Sequence, residues 1–533
     1  MNLISGIKKF SIICRTIAYL KITQIFYQIK YRLVKVHNLE YYQITTENIN
    51  WGPLKFNLHL PETKYVTNGR EFDFLNLSKY FEHSVNWNFQ DYGKLWNYNL
   101  QYFNYLHQDS LPDETKVSYL TDISQWLEDG RLKLEPYPVS LRVMNVIRYL
   151  SDKKKTNAEI IKDTYSQLNY LNNSLEYHLL ANHLLENAFA LLMGGCFFRI
   201  KKWQSVAKEL LYDELNEQVL NDGGHFELSP MYHQIILFRL LELIDWYGHI
   251  EDPDMGFLLF VEQKAIKMIN WLNLISFKNG DIPHFNDSTN GIAFSTKQLL
   301  SYADELQLTY NKIHSLTDSG YRKYITPDYE CVIDIGQVWP SYQPGHSHAD
   351  MLSFILYVKE IPFIVDTGIS TYQIGELRNM ERSTYAHNTV AIEGKNQSEI
   401  WGGFRVGRRA KIKIIDEAGM ELTASHDGYK KDFGATHQRT FAFGLGSIII
   451  KDKIIDNSAI LAQSLLHFHP DRVVTVATGN LIIIDNIATI NFIGADKLKI
   501  DKYQSTIGFN KYRDATCIVV DFYESLELVI KVL

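Results

Sequence analysis

Three stretches of the chain carry residue types that can move protons or hold charge. The first is Ala181-Asn-His-Leu-Leu-Glu-Asn187, in a helical stretch where Asn182 and Glu186 are four apart and His183 and Glu186 three apart. At those spacings the polar groups share one helix face. Leu184, Leu185, Leu191 and Leu192 pack nearby, and buried polar groups in such surroundings need partners or a task. The second is Ser229-Pro-Met-Tyr-His-Gln234, after the glycine-rich break Asp222-Gly-Gly-His225. Ser followed by Pro marks an N-cap with proline at the first helical position, which puts Tyr232 in the first turn. The positive end of the helix favours a phenolate there, so a lowered Tyr232 pKa and a role in proton transfer are expected. Taken alone, a packed Tyr with a bonded hydroxyl is the plainer reading.

The third stretch carries the strongest signal. Pro344-Gly-His-Ser-His-Ala-Asp350 precedes a strand over Met351–Val358, Asp366 ends a strand over Phe363–Val365, and His387 enters a strand over Thr389–Ile392. Imidazoles and a carboxylate at strand ends can converge, and zinc accepts both donors, three protein ligands leaving one position open. His346 and His348 are two apart, so either can be the ligand while the other faces substrate. Arg378 and Arg382 precede His387, and Lys395, Trp401, Arg405, Arg408 and Arg409 follow it. Arg pairs bidentately with carboxylate or sulfate, and Trp stacks on sugar rings; a solvated charged edge explains the same residues.

Two kinds of element must position these groups. From about residue 75 to 310, apolar residues recur every three or four positions, as in Asp122–Glu128, Ser140–Leu150 and Phe260–Ile275. Breaks are expected at Pro136-Tyr-Pro138, Gly194-Gly195, Asp222–Gly224 and Lys278–Pro283. After about residue 325, short β-branched and aromatic runs follow one another, and Thr478-Gly-Asn480 joins two of them as a hairpin. Helices first and strands afterwards imply separate layers or domains, with the strands in a sandwich. A chain of 533 residues exceeds one compact core. A net charge of −7 argues against a general nucleic-acid binder but leaves room for a local basic cleft. Cys14, Cys196, Cys331 and Cys517 are too scattered for a metal motif and read as buried thiols. Seven Lys or Arg precede the first acidic residue, Glu40. The apolar runs between them are too short for a signal peptide or a membrane span. A helix packed on the body is expected there, with a basic amphipathic segment lying on a membrane as the alternative.

The motifs Asn182-His183-Leu-Leu-Glu186, Gly223–His233, Gly345–Asp350, Val365–Gly368, Ala386-His387-Asn388 and His437-Gln-Arg439 together resemble the heparinase II/III-like polysaccharide lyases, whose helical half is similar to that of some alginate lyases. The resemblance runs from about residue 90 to 530. It implies an incomplete (α/α) toroid followed by an antiparallel β-sandwich, with boundaries at 1–74 (basic segment and linker), 75–320 and 321–533. It further implies that Asn182 and His183 neutralise a substrate carboxylate with support from Glu186, and that Tyr232 and His346 transfer protons. His348, Asp366 and His387 are then ligands of a structural zinc, and Arg239, Trp401, Arg405 and Arg439 the expected substrate-binding groups. The implied reaction is β-elimination on a uronic-acid polymer without an organic cofactor. A uronate C5-epimerase and a non-catalytic polysaccharide-binding protein of a surface-polysaccharide system are the competing readings, since fold never fixes activity. A cytoplasmic or membrane-associated location is expected from the N-terminus, a periplasmic one from the family. The expected partners are an acidic polysaccharide and, peripherally, a membrane or polysaccharide-assembly system.

Overall fold

The computed structural model describes residues 2–33, 49–58, 60, 63–153, 157–310 and 315–533. Among these residues the α-helices are α1 (Asn2–Ile17), α2 (Ile22–Leu33), α3 (Lys94–Tyr102), α4 (Asp113–Glu128), α5 (Pro136–Lys153), α6 (Ala158–Asn173), α7 (Ala181–Phe197), α8 (Lys201–Gln218), α9 (Pro230–Tyr247), α10 (Met255–Ile275), α11 (Thr296–Glu305) and the short α12 (Glu376–Glu381) and α13 (Lys430–Phe433). Among the described residues of 1–74, expected to be a basic segment and linker, are the helices α1 and α2. The same stretch also begins a three-stranded sheet, Val66–Thr67, Glu71–Phe74 and Leu77–Tyr80.

Two expected breaks are not breaks. Pro136 and Pro138 form the first turn of α5, where the N–H groups have no intrahelical acceptor and a missing donor costs nothing. Gly194 and Gly195 lie inside α7. A Cβ on Gly194 would overlap Leu168 of α6, and one on Gly195 would come within 2.9 Å of the Gln204 backbone nitrogen in α8. The pair serves close helix packing, which outweighs its poor helix propensity.

The strand half opens with an antiparallel meander of four strands, Tyr321–Ile325, Tyr329–Asp334, Phe354–Val358 and Ile361–Ile364. Its two middle strands are buried at every residue. Successive side chains in a strand point to opposite faces, and here both faces are covered. Val332, Ile355 and Tyr357 join the core of the helical half, while Cys331, Ile333, Phe354 and Leu356 join the core of the sandwich. The second sheet runs in the order Ile412–Ala418, Glu421–His426, Thr436–Gly444, Ser447–Ile455, Lys511–Val532, Ala488–Gly508, Leu481–Ile484 and Val474–Thr478, with Ala462–His467 bridging Lys511–Val532 to Val390–Ile392. The small sheet is therefore a middle layer, and through it the two halves share their packing. Cys331 and Cys517 are buried as expected, whereas Cys14 is exposed and Cys196 half-buried; all four are free thiols.

One glycine controls the approach to the site. Gly223 has φ +91°, and a Cβ there would overlap the carbonyl oxygen of Lys267 in α10. Gly223→Ala is expected to destabilise the protein by about 2–4 kcal/mol through left-handed backbone cost plus overlap; denaturation midpoints against wild type measure it.

Candidate active site

The two helices α9 and α7 are entered through strained backbone. Ser229 caps α9, its hydroxyl accepting from the Tyr232 N–H at 3.2 Å, and Pro230 follows as expected. Leu228, just before it, has φ 54°. α7 is entered through Leu180, at φ 63° and ψ −153°, and Ala181, at φ 55°. The first of these sits in a region otherwise held by glycine, and such residues cost of order 1–3 kcal/mol each. The cost is met by what the turns position: Asn182 and His183 in the first turn of α7, and Tyr232 in the first turn of α9.

Tyr232 and His346 meet across the two halves, with ring centroids 3.9 Å apart and planes at 30°. His346 is held by Asp287, a residue the sequence reading passed over. The Asp287 carboxylate takes His346 Nδ1 at 2.8 Å, His348 Nε2 at 2.8 Å and both terminal nitrogens of Arg378, on α12, at 2.6 Å each. It is fully buried. Burial alone would raise its pKa, but the Arg378 charge and the two imidazole hydrogen bonds outweigh that and hold it well below the carboxylate range. A permanent anion on Nδ1 assigns the neutral His346 proton to that nitrogen and leaves Nε2 with its lone pair.

Tyr232 differs from expectation. Burial first, then the neighbouring Tyr372 phenol and the Asp287 and Glu227 charges, push its pKa well above the ordinary phenol value. The helix N-terminus does not win against them. Tyr372 donates to the Tyr232 hydroxyl oxygen at 3.3 Å, so Tyr232 is a proton-bearing phenol with its own hydrogen left to give.

The carboxylate supports also differ. His183 Nδ1 pairs with Glu176 at 3.1 Å, and the Asn182 amide nitrogen donates to both oxygens of Glu227 at 2.9 Å. Glu227 also lies 3.9 Å from His346 Nε2. Glu186, expected to support Asn182 and His183, is instead bonded to Arg239 at 2.9 Å. Burial would lower the His183 pKa, but the Glu176 carboxylate and its hydrogen bond raise it above the ordinary imidazole value. With 31% of its side chain open, His183 keeps an accessible edge.

The expected arginines separate by burial. Arg439 is fully buried, bidentate to Asp452 at 2.7 and 2.9 Å and donating to the Leu352 and Asn388 carbonyls. It ties the sandwich together and cannot reach a substrate. Arg239 is held between Glu186 and Glu242 at 2.9 Å each, an internal network rather than an open anion clamp. Arg382, also buried, donates to the Ser347 carbonyl. Trp401 is half-buried with its indole nitrogen on Thr16 of α1 at 3.1 Å, and exposed Arg405 lies over its ring at 4.9 Å. This pair keeps an accessible edge.

A second cluster sits behind His346. One ligand atom from each of His348, Asp350 and His387 lies within 4.8 Å of those of the other two, and all three residues are buried. His348 Nδ1, Asp350 Oδ2 and His387 Nε2 have no hydrogen-bond partner among the described residues. The opposite nitrogen of each imidazole is anchored on a carboxylate, His348 Nε2 on Asp287 and His387 Nδ1 on Asp366 at 2.7 Å. Anchoring one ring nitrogen aims the other at an ion, and burial pushes the His348 pKa down to about 3, leaving the ring neutral and able to ligate. The residues fit a metal ion. The carboxylate in the cluster is Asp350, while Asp366, expected as a ligand, stands behind His387 as its hydrogen-bond partner.

Residues 29–310 match the family model for the heparinase II/III N-terminus, and residues 310–524 that for the heparinase II/III-like C-terminal region. The chain belongs to the heparinase II/III-like family. Within this polysaccharide lyase family, it is 28% identical over 254 residues to a heparin-sulfate lyase of Bacteroides stercoris, covering 41% of this chain and 37% of the relative. It is 25% identical over 297 residues to the FtsZ-localized protein C of Caulobacter vibrioides, covering 53% and 49%. The matched regions thus span less than half the length of these curated relatives. Among solved structures, heparinase III superposes with a TM-score of 0.67 at 17% identity, over 93% of this chain and 88% of that one. A heparan sulfate lyase mutant from Pedobacter heparinus gives 0.59 at 18%, over 87% and 81%. These likenesses support a helical half followed by antiparallel sheets.

In this family member, removing the Asp287 carboxylate would leave Arg378 and two imidazoles without their partner. Asp287→Ala is expected to cost about 3–5 kcal/mol, the usual penalty for orphaning one side of a buried ion pair, and thermal melting measures it.

Proposed function

We propose that this chain is a polysaccharide lyase that cleaves a uronic-acid-containing polymer by β-elimination. The observation that carries this reading is the Tyr232–His346 pair at 3.9 Å, one ring from each half, with Asp287 fixing the imidazole. Membership of a lyase family and distant heparin-sulfate lyase relatives support it.

The C5 proton of a uronic acid is weakly acidic because the adjacent carboxylate is already negative. His183, whose cationic form Glu176 favours, meets that carboxylate and disperses the charge that builds on it as C5 is deprotonated. Asn182 lies one residue away, oriented by Glu227. His346 Nε2, the nitrogen not bonded to Asp287, takes the C5 proton. The C5–H electrons form the C4–C5 double bond, the C4–oxygen bond breaks, and Tyr232 protonates the departing oxygen. The raised Tyr232 pKa suits the acid role, and the Asp287-held imidazole suits the base role. Trp401 and Arg405 offer a stacking and charge-pairing edge for a neighbouring sugar. The second cluster's donor set of two imidazoles and a carboxylate suits zinc. Bound there, the ion supplies a structural tie among the loops carrying His348, Asp350 and His387.

An ultraviolet scan for unsaturated product across a panel of acidic polysaccharides tests the reaction. Tyr232→Phe is expected to abolish turnover while melting at the wild-type temperature; a wild-type rate in this variant refutes the assignment. Deuterium uptake at C5 without unsaturated product would instead select an epimerase. On the alkaline side, activity is expected to fall as pH rises through the raised His183 pKa, because the cation is lost. Glu176→Gln removes the group that raises it, so the alkaline limb of kcat/KM should move to lower pH. Metal analysis should find zinc in the purified protein and a loss of it in His387→Ala.

A further inference from the structure

The first two helices are mounted inside out. α2 faces the protein with its polar and aromatic side: Gln24 is buried and donates to the Leu179 carbonyl, Tyr27 stacks on Tyr177 at 4.6 Å, and Tyr31 donates to the Leu175 carbonyl at 2.6 Å. Lys21 lies 4.0 Å over the Tyr342 ring and pairs with Glu217. α1 does the same on the sandwich side, with Arg15 on Glu399 at 2.8 Å, Thr16 under Trp401, and Tyr19, in the following turn, beneath Arg409 at 3.7 Å. Both helices are thereby fixed to the body by specific contacts, and their other face is set in a defined direction.

That outer face is apolar. Ile22, Phe26, Ile29 and Leu33 are 86%, 57%, 53% and 78% exposed, and Ile25 is exposed beside them. At helical spacing these five residues fall within an arc of about 100°, the width of a burying stripe. On α1, Phe10 and Ile17 are exposed in the same way. Lys30 and Arg32 fall on opposite sides of the α2 stripe and are both exposed. The first acidic residue of the chain is Glu40, after seven Lys or Arg.

We propose that this face seats the protein on an anionic lipid bilayer surface. An apolar stripe edged by cations matches the boundary between acyl chains and acidic headgroups. A second copy of the chain fits it less well, because α2 carries no acidic residue to pair with the cations that a second copy would bring. No described helix is long and apolar enough to cross a membrane, so the contact is peripheral. The stripe lies beyond the contacts to Leu175, Tyr177 and Leu179, which flank the His183 partner Glu176, so docking would hold the candidate cleft at a fixed distance from the surface.

Flotation of the full chain with vesicles of phosphatidylcholine containing about a third phosphatidylglycerol tests the proposal. Co-flotation is expected, falling about tenfold or more with pure phosphatidylcholine and about as much with Phe26→Glu/Ile29→Glu on the mixed vesicles. Far-ultraviolet circular dichroism and melting of that variant should match wild type, since neither side chain packs inward; if it does not fold, Ile22→Ser/Leu33→Ser replaces it. No flotation overturns the proposal. So does flotation indifferent to these substitutions or equal on neutral lipid, and so does a dimer in sedimentation that the same substitutions dissociate.

Discussion

One buried carboxylate is shared by everything that has to be held still. Asp287 accepts from His346 and His348 and closes a bidentate pair with Arg378, while its own backbone carbonyl takes the Ser229 hydroxyl and its N–H reaches the His346 carbonyl. Those bonds link the cap of α9, the loop bearing both imidazoles, and α12. Burying a lone carboxylate is prohibitive, and only a matched cation with saturated hydrogen bonds makes it tolerable. The site is therefore not assembled on a finished scaffold. The anion, its guanidinium and the two rings are stable only together, and that mutual dependence fixes which imidazole nitrogen faces the cleft and which faces the candidate metal cluster.

Much of this architecture was legible in the residues. Ser229-Pro230 announced the start of α9, the spacing of His346 and His348 fits one ring turned to Tyr232 and the other to Asp350 and His387, and the change from helical to strand periodicity separated the two halves. What escaped has physical causes. Asp287 stands in an irregular Asn-Asp-Ser loop without periodicity, and nothing local betrays that Arg378, 91 positions later, will find it. Glu176 and Glu227 sat in plain view, but Glu186 shared a helix face with Asn182 and His183 and looked the better support; three-dimensional packing gave it to Arg239. Arg439 illustrates the reverse error. An Arg in a motif suggests an anion outside, yet its anion was Asp452 on the adjacent strand.

The electrostatics follow one pattern repeated at three imidazoles. His183, His346 and His387 each have Nδ1 on a carboxylate, from Glu176, Asp287 and Asp366. In each case the anion orients the ring and makes its other nitrogen available. What that nitrogen then does depends on surroundings: a partly open edge at His183, a phenol neighbour at His346, and at His387 a dry pocket shared with His348 and Asp350. The proposed base, the proposed anion binder and the candidate metal ligand thus share one local construction.

The four-stranded middle sheet, whose two inner strands are buried on both faces, has a consequence for biosynthesis. A ribosome releases the helices first, yet their core remains unfinished until Val332, Ile355 and Tyr357 emerge. α1 and the turn after it are made well before their partners Glu399, Trp401 and Arg409, which arrive more than 380 residues later. That segment therefore lacks its seat until the sandwich side has been made, and its docking follows the folding of the strands that carry those partners.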